Sequence, residues 1–142
     1  MSDVHSKEVR SYNMSQIRSK NTKPELAVRK YLFSNGFRYR LHSKDLPGKP
    51  DLVLPKYRTV IFVHGCFWHG HEGCKYFVVP KTKTEWWVNK ISRNKQLDNE
   101  HIKKLKSDKW KVITLFECKL KKDKIDFTLN TVIRKLNKIL TE

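Results

Sequence analysis

The sequence predicts a small α/β domain in which a mixed β-sheet is flanked by helices. Three observations lead to that expectation. Helical periodicity occurs near the start, in the middle and at the end of the chain, with extended segments between, giving the order helix, three strands, helix, strand, helix. Two of the extended segments, Arg58–Val63 and Lys111–Phe116, are apolar and β-branched enough to be buried on both faces. The length of 142 residues and a hydrophobic fraction of 38% suffice for one core.

Residues 1–20 are polar and basic and read as an arm ahead of a single domain at 21–142. Thr22-Lys23-Pro24-Glu25 has the pattern of a capping box, with Pro24 in the first turn, and predicts a helix to about Ser34. Ala27, Val28, Tyr31 and Leu32 form its apolar face, and Gly36 suits its C-terminal end. Phe37 to His42 alternates and predicts a half-exposed strand. The turn Leu46-Pro47-Gly48-Lys49-Pro50 precedes a short strand at Asp51–Leu54. Thr84 to about Leu105 reads as a helix whose stripe of Trp87, Ile91, Ile102 and Leu105 also carries Asn94 and Asp98. A carboxylate on an apolar stripe requires a partner, so Asp98 is expected to have one. Leu129, Val132, Ile133, Leu136 and Leu140 define a C-terminal helix.

Charge narrows the function classes. The 31 Lys and Arg outnumber the 14 Asp and Glu, a formal excess of +17 that calls for a polyanionic partner, nucleic acid first. Arg10, Arg18 and Lys20 in the arm, with Lys81, Lys83 and Lys90, are candidates to neutralise phosphates. No apolar run approaches the ~18 residues of a membrane span, and Ser2–Lys7 is too polar for a signal peptide. With three cysteines, a closed disulfide framework is not expected.

The densest chemistry lies between His64 and Cys74. Cys66-x4-His71-x2-Cys74, joined by Cys118 just after the strand ending at Phe116, offers three thiolates and an imidazole, the donor set of structural Zn²⁺. His69 is the alternative nitrogen ligand; His71 is preferred for its near spacing to Cys74. Phe67 and Trp68 are adjacent in a glycine-flanked loop, where no helical or strand period buries both.

Gly48-Lys49-Pro50-Asp51 opening a strand resembles the Pro-Asp element of the PD-(D/E)xK nucleases, although the next strand, ending at Val63-His64, has no Glu-x-Lys. Taken with Arg10-Ser11-x-x-Met14, Thr22-Lys23-Pro24-Glu25 and Val63-His64-Gly65-Cys66-Phe67-Trp68-His69, the chain resembles the very short patch repair endonucleases from about Asp3 to Cys118. The resemblance implies a restriction-endonuclease-like core and a Mg²⁺-dependent nick made 5′ to the thymine of T:G mismatches left by 5-methylcytosine deamination. It implies that Asp51 and the Val63 backbone carbonyl hold Mg²⁺, with Glu25 near the metal through water. His69 would be the general base, Asp98 its orienting carboxylate, and His64 a contact to the scissile phosphate. Phe67, Trp68 and Trp87 would intercalate beside the mismatch, and Met14 would enter from the other groove.

Val63 and Leu97 depart from the family pattern, which usually has Thr and Arg there. The partners implied are mismatched double-stranded DNA, a cytosine-5 DNA methyltransferase and repair machinery, with a monomer acting in the bacterial cytoplasm at the nucleoid. Two other readings are compatible with these residues: a zinc-stabilised nucleic-acid-binding module without catalysis, and a sequence-specific restriction nuclease.

Overall fold

A computed structural model describes residues 21–141. The arm at 1–20, with Arg10, Met14, Arg18 and Lys20, lies outside the described residues. The elements are α1 (Lys23–Ser34), β1 (Arg40–Leu41), β2 (Leu52–Leu54), β3 (Thr59–His64), α2 (Thr84–Ser107), β4 (Lys111–Phe116) and α3 (Ile125–Thr141). Among the described residues, no helix is long and apolar enough to cross a membrane.

The sheet is mixed, in the order β1-β2-β3-β4. β1 and β2 pair antiparallel, as do β2 and β3, whereas β3 and β4 run parallel from Thr59↔Lys111 to His64↔Phe116. A parallel pair needs a crossover, and α2 lies between these two strands in the chain. β3 is therefore central, and five of its six residues are buried.

Side chains alternate across the sheet and fill two cores. Leu52, Leu54, Ile61 and Leu115 pack with Val28 and Leu32 of α1 and with Leu129, Val132 and Leu136 of α3. On the opposite face, Val53, Val60 and Phe62 meet Leu105 of α2, with Ile102 and Trp110 beside it. The sheet is thus covered by α1 and α3 on one side and by α2 on the other.

The N-cap of α1 forms at Thr22, whose hydroxyl accepts from the Glu25 amide at 3.4 Å. The return bond of the box goes one residue upstream, with the Asn21 amide donating to Glu25 Oε1 at 3.3 Å.

Two elements differ from the sequence expectation. The strand expected at Phe37–His42 shrinks to Arg40–Leu41, because Phe37 turns into the core against Tyr57 and His42 takes a left-handed backbone (φ +47°) that ends the ladder. Leu41, an apolar position of that alternation, is exposed on this two-residue edge strand. In α3, Ile139 rather than Leu140 packs on the core, because the buried stripe continues 129, 132, 136, 139 at helical spacing.

Candidate active site

Three clusters of ligand-type side chains occur among the described residues: Glu25/His42/Asp51, His64/His69/Asp98 and Cys66/His71/Cys74/Cys118. Within each, the ligand atoms lie within 4.8 Å of one another. All three gather around the C-terminal end of β3.

The first arises where β3 outruns β2. The last paired residues are Leu52 and Ile61, so Asp51 and Val63 lie beyond the ladder. The Val63 amide donates to Asp51 Oδ2 at 2.7 Å. A strand residue's N–H and C=O point to the same side, so the Val63 carbonyl also faces the side of Asp51. Burial pushes the Asp51 carboxyl up to about 7; the Val63 N–H opposes that rise and neighbouring Glu25 adds to it. Glu25 is 1% exposed and meets His42 Nε2 at 2.8 Å and the Arg29 guanidinium. The same glutamate therefore serves the helix start and faces Asp51. Two acids and a carbonyl are hard oxygen donors of the kind Mg²⁺ takes, so the residues present fit the ion.

In the second cluster, His69 Nδ1 lies 2.6 Å from Asp98 Oδ2, supplying the partner expected for that carboxylate. An ionised carboxylate only accepts hydrogen bonds, so Nδ1 carries the proton, and in a neutral ring that tautomer leaves the lone pair on Nε2. His64 stacks on His69 with ring centroids 3.7 Å apart and planes 3° from parallel. Burial, helped by neighbouring His69 and opposed by the charge of Asp98, lowers the His64 pKa to about 4, so the ring is neutral at pH 7.

In the third, the parallel register sets Phe116 beside His64, so the loops leaving β3 and β4 start side by side. Cys118 Sγ comes within 3.4 Å of His71 Nδ1, and the Cys118 amide lies 3.4 Å from Cys66 Sγ. His71 stacks on Phe116 at 3.9 Å and 5°. Burial pushes the Cys66 thiol up to about 12. At Cys74 burial also raises the pKa, but hydrogen bonds from Tyr76, Phe77 and the neighbouring cysteines outweigh it and hold the thiol below its ordinary value. Backbone N–H groups aimed at sulfur favour thiolates, and a Cys₃His set with that support suits Zn²⁺. The nitrogen in this group belongs to His71, while His69 is engaged by Asp98.

A match to the model of the family described as DNA mismatch endonuclease Vsr spans residues 2–75. The chain belongs to the Vsr family. A type II nicking enzyme, V.XorIIP, from Xanthomonas oryzae pv. oryzae is 50% identical over 120 residues, covering 84% of this chain and 88% of the relative. V.NmeAIP from Neisseria meningitidis, another type II nicking enzyme, is 45% identical over 137 residues, 96% of this chain and 97% of the relative. The DNA mismatch endonuclease Vsr of Escherichia coli is 43% identical over 121 residues, covering 85% and 77%. Family membership makes the chain an endonuclease and implies a divalent metal for its chemistry.

In this Vsr-family chain, Phe67, Trp68 and Trp87 form one aromatic group. Phe67 lies 5.2 Å from Trp68 and 5.3 Å from Trp87, centroid to centroid, both near edge-on. Trp86, more than half exposed, packs edge-on against Trp87 at 4.8 Å. Asn94 Nδ2 donates to the Trp68 carbonyl at 3.0 Å and ties the loop to α2. Gly70, at φ +58°, lies so close to α2 that a Cβ there would meet Ile91 and Lys95 at 2.7 Å. Lys90 is half-buried on the same helix, and Lys81 and Lys83 are exposed just before it.

Sequence reasoning did not single out Arg29, His42 or Gly70. Arg29 follows Glu25 at i+4, a spacing that signals a helical ion pair, and that signal was present. Nothing local marked His42, because it depends on two segments meeting in space. For Asn94 the signal was its polar side chain on an apolar stripe.

Proposed function

We propose that the chain is a Mg²⁺-dependent, strand-specific endonuclease that nicks 5′ to the thymine of T:G mismatches arising from 5-methylcytosine deamination. The observation that carries this reading is the 2.6 Å contact between His69 and Asp98. A carboxylate holding one imidazole nitrogen leaves the other oriented to take a proton.

Asp51 and the Val63 carbonyl would hold Mg²⁺, with Glu25 beside them. The cation there would stabilise charge developing on the scissile phosphate and ease deprotonation of water. His69 Nε2 takes the proton from the attacking water, and Asp98 stabilises the imidazolium that results. Neutral His64, stacked beneath it, donates to the phosphate. Phe67, Trp68 and Trp87 form a wedge whose insertion costs least at a step already mispaired, which supplies selectivity. Met14 would act from the opposite groove. Arg10, Arg18, Lys20 and Lys90 would contact phosphates.

Cys66, His71, Cys74 and Cys118 would hold Zn²⁺, which in this reading would do no chemistry and would stiffen the loop that carries the wedge and the base. The mixed sheet with its acids at the strand ends is read as a restriction-endonuclease-like core. It lies in one domain at 21–142, behind a DNA-contacting arm at 1–20. One active site per chain suits a monomer, acting in the bacterial cytoplasm downstream of a cytosine-5 DNA methyltransferase and feeding repair.

The test compares T:G-mismatched and fully paired duplexes carrying candidate methylation sites, with and without Mg²⁺. A single Mg²⁺-dependent nick 5′ to the mismatched thymine is expected, lost in Asp51→Ala while binding persists. Binding without any nicking would instead indicate a non-catalytic module. Double-strand cleavage of paired DNA would indicate a restriction nuclease.

A further inference from the structure

His42 lies between the two acids of the first cluster and touches both. Its side chain reaches Glu25, with Nε2 2.8 Å from Oε2, while its main-chain amide donates to the Asp51 carbonyl at 3.1 Å. Arg29 closes the group: its Nη2 pairs with Glu25, lies 3.2 Å from His42 Nε2 and donates to Asn21 Oδ1 at 2.6 Å. Glu25 Oε1 takes the Asn21 amide. The carboxylate of Glu25 is thus held from both sides and cannot swing.

The backbone at His42 adds a second argument. It is left-handed, at φ +47°, a conformation that carries a steric cost for a residue with a Cβ that glycine does not incur. A turn needing only that backbone is best served by glycine. The imidazole that stands there sets its tip on a nearly fully buried carboxylate.

We propose that His42 is a positioning residue of the metal centre, fixing Glu25 relative to Asp51 so that both carboxylates meet a divalent cation in one geometry. The proposal rests on the reading that Asp51 and Glu25 hold that cation. The hydrogen bond from His42 Nε2 orients the Glu25 carboxylate, and the main-chain bond carries the constraint to Asp51. Partners that orient a metal ligand in this way typically change affinity by about ten- to a hundred-fold when removed.

The experiment titrates Mn²⁺ into full-chain protein bound to a pre-nicked duplex and follows free Mn²⁺ by electron paramagnetic resonance. His42→Gly removes the imidazole while relieving the backbone, so misfolding is not the expected failure. His42→Gln keeps a donor of similar reach. His42→Gly should weaken Mn²⁺ binding by about ten-fold or more and raise the Mg²⁺ concentration needed for nicking, with duplex affinity unchanged. His42→Gln should restore most of the loss. Wild-type Mn²⁺ affinity in His42→Gly, or equal loss in His42→Gln, overturns the proposal. Asp51→Ala is the parallel control: if it too binds Mn²⁺ as wild type does, the metal assignment fails first and the role of His42 fails with it.

Discussion

His69 and Asp98 are 29 positions apart in the chain and 2.6 Å apart in the structure, so exchanging one atom of that pair is an informative change. Asp98→Asn preserves shape but presents an amide that can donate to Nδ1, favouring the tautomer whose Nε2 already carries a proton. Nicking should fall on the order of 10²- to 10⁴-fold, with duplex affinity unchanged; a variant within a few-fold of wild type would remove His69 from the role of base. Asp51 supports a second expectation, about stability. The folded carboxyl keeps its proton up to about pH 7, whereas the ordinary value is 3.8. Between those values the folded chain binds more protons than the unfolded one, so stability without Mg²⁺ falls as pH rises through that window and stays low above it. Asp51→Asn should therefore melt above wild type at pH 8 in Mg²⁺-free buffer, with the gap closing toward pH 4. Thermal melts showing no gap at pH 8 would count against this. The acid proposed to hold the metal is thus expected to cost the metal-free fold stability, a trade common at active sites.

At the scale of elements, the end of β3 and the face of α2 act as two jaws. Gly70 is where they touch: its φ of +58° and the 2.7 Å approach of Ile91 and Lys95 leave no room for a methyl group. Gly70→Ala should lower stability by about 1 to 3 kcal/mol, read by denaturant unfolding, and should reduce nicking more than binding, because the loop shifts away from Asp98. An alanine variant with unchanged unfolding would show that the loop yields freely. The elements themselves were largely legible in the chain. Thr22 and Glu25 marked the start of α1, and the β-branched runs marked β3 and β4, because caps and burial on both faces leave local traces. What stayed hidden depends on distant meetings: β1 stops at Arg40–Leu41 because of a backbone twist at His42 that no residue type announces. Asp98 could be expected to have a partner from its stripe alone, and only the family resemblance named His69. Likewise Arg29 showed its spacing from Glu25, but not the imidazole that would share the carboxylate.

Across the whole molecule, the formal charge of +17 makes DNA affinity salt-sensitive, while the Cys66/His71/Cys74/Cys118 group links the two parallel strands at one end. Under the proposed ligation, Cys118→Ser should drop zinc below one equivalent by metal analysis and lower the melting temperature. It should also abolish mismatch preference before it abolishes general duplex binding, since charge is untouched and only the stiffness of the loop is lost. Retained mismatch preference in a zinc-free variant would detach the wedge from the metal. The parallel pairing of β3 and β4 has a further consequence, in time rather than in space. His71 and Cys118 are 47 positions apart and become neighbours only once α2 has crossed over and the ladder has closed. Contacts of that separation form late in folding, and Cys118 leaves the ribosome long after the wedge, the base and Asp51 have been made. Under the proposed roles, a half-made chain would thus carry the groups that cut DNA and lack the clamp that aims them, so the nuclease would be armed only once Cys118 is in place.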